Sequence, residues 1–92
     1  MQPFHLAFPI KDIESTRKFY IESLGCKLGR ETAEWIDFDF FGHQLSAHVK
    51  PEECLGVATS AVDKVKVPVR HFGVVLEWSE WEKLSEKLAN EK

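Results

Sequence analysis

Phe4-His5-Leu6-Ala7-Phe8-Pro9-Ile10 and His71-Phe72-Gly73-Val74-Val75-Leu76 are two apolar runs that each carry a histidine near the start and each lead into a helical pattern. In the first run Phe4, Leu6, Phe8 and Ile10 alternate with His5, Ala7 and Pro9, the period of a strand with one packed face, so His5 points away from that face. Asp12 then offers an N-cap. Ile13, Thr16, Phe19, Tyr20 and Leu24 recur at helical spacing up to Gly25, which suits the left-handed residue that ends a helix. A strand is likewise expected from Val69 to Trp78, where Phe72, Val74 and Leu76 alternate with His71, Gly73 and Val75. Ser79 and Glu82 read as a capping box, with Trp81, Leu84 and Leu88 as the buried face of a closing helix. The strand-then-helix unit therefore occurs twice. Such a repeat can bring the imidazoles of His5 and His71 onto one sheet face, and neutral imidazole is the commonest protein ligand for a transition metal.

Three strands fill the space between. Lys27 to Thr32 is a weak candidate and Glu34 to Phe41 a strong one, with Ile36, Phe38 and Phe40 alternating against Trp35, Asp37 and Asp39. Gly42-His43 is the hairpin signal that leads into Gln44 to Val49. There Leu45, Ala47 and Val49 form the apolar set, so His48 faces the same way as His5. Lys50 to Pro68 has no strong period and reads as a long connection. His43 belongs to the hairpin.

Composition narrows the classes. A chain of 92 residues makes one domain at most and buries only roughly 60 to 65 per cent of the surface it exposes when unfolded. Hydrophobic residues are 43% of the chain, with seven Phe and three Trp, enough for a folded domain and too many for a disordered one. A formal charge of -3, with Lys and Arg scattered among acids, argues against a nucleic-acid partner. No apolar run approaches the roughly 18 residues of a membrane span and no leader pattern opens the sequence, so no membrane partner and a cytoplasmic location are expected. Cys26 and Cys54 form no CxxC pair and are expected to be reduced. Nothing places an activating base beside either thiol. The charged residues from Glu80 to Lys92 read as the solvated side of the closing helix.

The order strand, helix, three strands, with Phe19-Tyr20 and Leu24-Gly25 in the first helix, resembles the βαβββ module of the vicinal oxygen chelate superfamily, which includes glyoxalase I, extradiol dioxygenases, fosfomycin-resistance proteins and bleomycin-binding proteins. The sharper part of the resemblance is Glu34-Trp35-Ile36-Asp37-Phe38-Asp39-Phe40-Phe41-Gly42-His43-Gln44-Leu45 with Ala47-His48, then Val67-Pro68 and His71 to Leu76. It is similar to a bacterial subgroup described as predicted extradiol-dioxygenase or glyoxalase-like proteins. The resemblance implies an α+β fold with a complete βαβββ module over residues 1–50, a linker loop over 51–68 and a partial second module, strand plus helix, over 69–92. It also implies that the second module is truncated before the strand that normally supplies a glutamate ligand.

By the same resemblance His5 and His71 are metal ligands and His48, on the matching face, is a third; Asp37 and Asp39 also face the cleft, as the nearest in-chain substitutes for the missing carboxylate, and with Trp35 are the expected substrate-binding residues. Aromatics of this size also fill cores and interfaces; core is expected for Trp81 and cleft or interface for Trp35. A divalent ion (Fe, Mn, Ni or Zn) would chelate a small oxygen-bearing ligand, as a dioxygenase or a lyase or isomerase requires, with activity lost if the missing glutamate is essential. A second reading is a metal-free module that sequesters a small molecule or drug. A third is a degenerate fragment that covers its unfinished sheet by forming a homodimer, with the C-terminal segments exchanged through the 51–68 connection.

Overall fold

The computed structural model describes residues 2–54, 59–62, 65–68 and 70–91. Strand β1 (His5–Ile10) leads into helix α1 (Ile13–Arg17), which widens into a π-helical turn over Lys18–Ser23; β2 (Lys27–Glu31), β3 (Trp35–Phe40) and β4 (His43–Val49) follow. After a 3-10 turn at Pro51–Glu53 come β5 (Thr59–Val62), β6 (Val65–Pro68) and helix α2 (Trp78–Ala89). The expected α+β architecture and its βαβββ order are present.

Asp12 starts α1 as the sequence suggests. Its carboxylate accepts from Ser15 N and from Ser15 Oγ, each at 2.7 Å, and these bonds hold its pKa below the ordinary aspartate value. Gly25, at φ 76°, turns the chain out of the helix. The first four strands form one sheet in the order β1-β4-β3-β2, with β1 parallel to β4 and the other pairs antiparallel. Pro9 cannot donate to a ladder, and it sits on an edge strand, where that is tolerated.

Alternation along these strands divides the sheet into two unlike faces. One carries the core: Ile36, Phe38, Leu45 and Ala47 are fully buried, Ile10 and Phe40 nearly so, and Ile13, Tyr20, Ile21 and Leu24 of the first helix pack against them. Tyr20 stacks on Phe38 at 4.9 Å between ring centroids, and burial raises its pKa. The opposite face presents His5, Ala7 and Pro9 of β1, Gln44, Ser46 and His48 of β4, and Trp35, Asp37 and Asp39 of β3.

Five local expectations are corrected. The connection over 51–68 contains an antiparallel pair, β5 with β6, in which Thr59 is opposite Pro68 and Val62 opposite Val65. The strand expected from Val69 to Trp78 is not formed over 71–77, and Trp78 already belongs to α2; Val69 lies outside the described residues. The capping box at Ser79 and Glu82 is not used, because α2 begins one residue before Ser79, with Glu77 at its N-cap and no side-chain capping bond. Trp81 is half exposed, at 50%, and stacks on Trp78 at 5.1 Å in place of entering the core. The hairpin turns on Phe41-Gly42 and not on Gly42-His43: Phe40 pairs with His43, and both loop residues have positive φ, 52° and 90°. Two successive left-handed residues match the right-handed strand twist, as in a type I′ turn.

Both thiols are free. Cys26 is 7% exposed, and burial raises its pKa above the usual thiol value. In the folded protein at mildly alkaline pH, a thiol reagent is therefore expected to label Cys54 quickly and Cys26 only on the timescale of unfolding; equal rates would mean that the first helix opens readily.

Candidate functional site

The uncovered sheet face is the place where the sequence and the fold converge. His5 is exposed and directly opposite Gln44, with Ala7 opposite Ser46 and Pro9 opposite His48. Across β4, Asp39 faces Gln44, Asp37 faces Ser46 and Trp35 faces His48. The result is a grid of polar groups on a rigid sheet.

Register decides which of them can act together. His5 pairs at Gln44 and His48 pairs at Pro9, a four-residue offset that separates the two along the strands by about 13 Å at roughly 3.3 Å per residue. Side chains stand nearly perpendicular to a sheet, so these two rings face the same side without meeting over one ion. His48 is engaged elsewhere: its Nε2 lies 3.0 Å from Ser46 Oγ. Ser46 is itself only 7% exposed.

His71 is held differently. It follows Arg70, whose φ is 83°, and its Nδ1 lies 2.6 Å from the carbonyl oxygen of Pro68. A carbonyl oxygen can only accept, so Nδ1 must donate, and in the neutral ring that leaves Nε2 with the lone pair a metal needs. The next residue, Phe72, packs on Phe8 at 5.6 Å and Phe40 at 5.8 Å, on the core side of the sheet. Among the described residues, no group of three or more His, Cys, Asp or Glu side chains is gathered in a way that could hold an ion.

The substrate-facing set separates likewise. Asp37 is 7% exposed, and its Oδ2 lies 3.8 Å from the Arg30 guanidinium, which also stands over the Trp35 ring at 5.5 Å. A bulge explains how Arg30 gets there. Leu28 pairs with Phe38 but Glu31 with Ile36, so β2 has one extra residue, and the bulge re-aims Arg30 toward Asp37 and Trp35. Asp39 is exposed, and its Oδ1 accepts the Gly42 N–H at 2.8 Å, closing the hairpin. Sequence reasoning missed Gln44, Ser46 and Arg30. Alternation could have found the first two, since both share His48's parity on β4, whereas Arg30 needed the bulge.

The comparisons with known proteins bear on the fold. No family model matches the chain, and no curated protein does. Among solved structures, a glyoxalase/bleomycin resistance protein/dioxygenase from Alicyclobacillus acidocaldarius superposes with a TM-score of 0.74 at 31% identity, over 96% of this chain and 61% of that one. A lactoylglutathione lyase from Agrobacterium tumefaciens superposes with a TM-score of 0.57 at 14% identity, over 94% of this chain and 66% of that one, a likeness of fold alone. The first of these likenesses, in fold and in sequence, supports the resemblance of the chain to the vicinal oxygen chelate superfamily. The chain spans roughly two thirds or less of the length of these relatives. No helix among the described residues is long and apolar enough to cross a membrane.

Proposed function

We propose that the uncovered sheet face forms part of a metal-dependent site for a small ligand with adjacent oxygen atoms. The supporting observation is the asymmetry of the sheet: one face carries the apolar core, and the other carries exposed His5, Gln44 and His48 and half-buried Trp35 around the buried polar side chains of Ser46 and Asp37. His5 and His71 are the proposed ligands. Both are exposed, and the Pro68 carbonyl sets the His71 tautomer that can coordinate. The donor types fit Fe, Mn, Ni or Zn, but the described residues of one chain do not supply a closed set. A carboxylate or imidazole from a second copy, in a homodimer, would complete it. His48 joins the same ion only from such a copy, because the register keeps it from His5.

When bound, the ion would polarise the ligand's oxygens. This chain's own residues would do the rest. Trp35, with Arg30 against its ring, would give the ligand a flat apolar wall, and the Ser46–His48 pair would hold a proton at one defined place on the sheet. Catalysis as a dioxygenase, lyase or isomerase is the fuller form of this proposal.

Metal analysis of protein purified without chelator tests it. Near-stoichiometric metal is expected in the wild type, with a loss of at least about tenfold in occupancy for His5→Ala combined with His71→Ala, as for removal of ligands that hold an ion. Substoichiometric metal that the double substitution leaves unchanged would count against the proposal. Metal-free capture of a planar ligand is the second reading, and the Arg30–Trp35 contact favours it. Trp35 quenching that persists in chelator would support that reading over the first.

A further inference from the structure

A groove of ≈ 670 Å³ lies at the end of the sheet, between the β3–β4 hairpin and the segment that leads into α2. Its walls include Phe41, His43, Val74 and Trp78, and its charged residues are Glu77 and Glu80, with no Lys or Arg among them. We propose that this groove is a second binding site, separate from the uncovered sheet face, and that it takes a small organic cation with an aromatic or quaternary ammonium group.

The chemistry of the lining favours that class. Trp78 is 69% exposed although it is a large apolar side chain. It stacks on Trp81 with an interplanar angle of 15°, so one face of the indole is covered and the other remains for a ligand. The face of a tryptophan attracts cations more strongly than any other aromatic ring. Glu77 and Glu80 add negative charge at the same end of α2, and neither is in an ion pair among the described residues. His43 is tied to the strand beside it, its Nδ1 accepting the Phe4 N–H at 3.0 Å. The ring is fixed by stacking on Phe4 at 4.1 Å. Phe41 is held at positive φ by the hairpin. One wall is therefore set by the β3–β4 hairpin and the other by the segment that leads into α2 and by the first turn of that helix.

The inference does not depend on metal at the other face, and its test is run in chelator. The probe is phenyltrimethylammonium, compared with its neutral isostere tert-butylbenzene, titrated into the intact protein and followed by tryptophan fluorescence. The cation is expected to bind about tenfold more tightly than the isostere, and Glu77→Gln combined with Glu80→Gln to remove that advantage. Both glutamates are exposed, so the far-ultraviolet circular dichroism of the variant should match the wild type. Trp78→Leu should abolish the fluorescence response. Equal affinity for cation and isostere, unchanged cation binding in the double variant, or no binding at millimolar concentration would each overturn the proposal.

Discussion

Replacing Phe38 by alanine is expected to lower the stability of this protein by about 3–5 kcal/mol, the usual cost of truncating a buried phenylalanine. Phe38 is 1% exposed. It lies on the core side of β3, opposite Leu28 on one neighbour and Leu45 on the other, with Tyr20 stacked on its ring. The side chain thus joins three strands to the first helix, and removing it leaves a cavity that the rigid sheet cannot close. A domain of this size has about 5–14 kcal/mol in total at the usual stability per residue. The loss would lower Tm by about 15–30 °C, which thermal unfolding followed by circular dichroism would read. A loss under about 1 kcal/mol would mean that the helix does not pack where it is described.

The second large effect is expected at Gly29, where valine should cost about 1–3 kcal/mol through overpacking. A Cβ at this position would come within 3.2 Å of both Asp37 Cβ and the Asp37 carbonyl oxygen. Neither atom is the end of a flexible side chain, so β2 must move away from β3. Arg30 follows in the bulge and is carried from Asp37 and the Trp35 ring. Two readouts should therefore change together: the urea midpoint and the fluorescence of Trp35. Arg30→Ala provides the contrast. Its guanidinium is 81% exposed, so the ion pair contributes little and the urea midpoint should hardly move while the Trp35 signal still changes. A Gly29→Val protein with wild-type stability would show that the bulge is not tightly packed.

How much of this was legible in the sequence differs from element to element. Strands β1, β3 and β4 were readable because one face is apolar and packed and the other is mostly polar. A strict two-residue period then fixes which side His5 and His48 take. The Asp12 cap and Gly25 were readable for the same local reason, since each answers a backbone requirement of its own position. The pair β5 and β6 was not, because four-residue strands are too short to show a period. His71 to Leu76 shows the opposite failure. Its alternation is real, yet a strand also needs a neighbour to pair with, and 71–77 has none among the described residues. Phe72 and Val74 pack on the core instead.

At the candidate site, alternation gave the face that His5 and His48 share but not the register. His5 and His48 have the same parity, which says nothing about their four-residue offset along the ladder. Distances of this kind come from strand pairing. Arg30 was hidden for a related reason: the bulge breaks the alternation that would have assigned its side.

The central claim is that the imidazoles of His5 and His71 bind the same ion. X-ray absorption at the metal edge of the loaded protein counts imidazole ligands through their multiple-scattering signature. The expected result is at least two imidazoles in the wild type, with one fewer in His5→Ala and one fewer in His71→Ala. A count that neither substitution changes would contradict the claim.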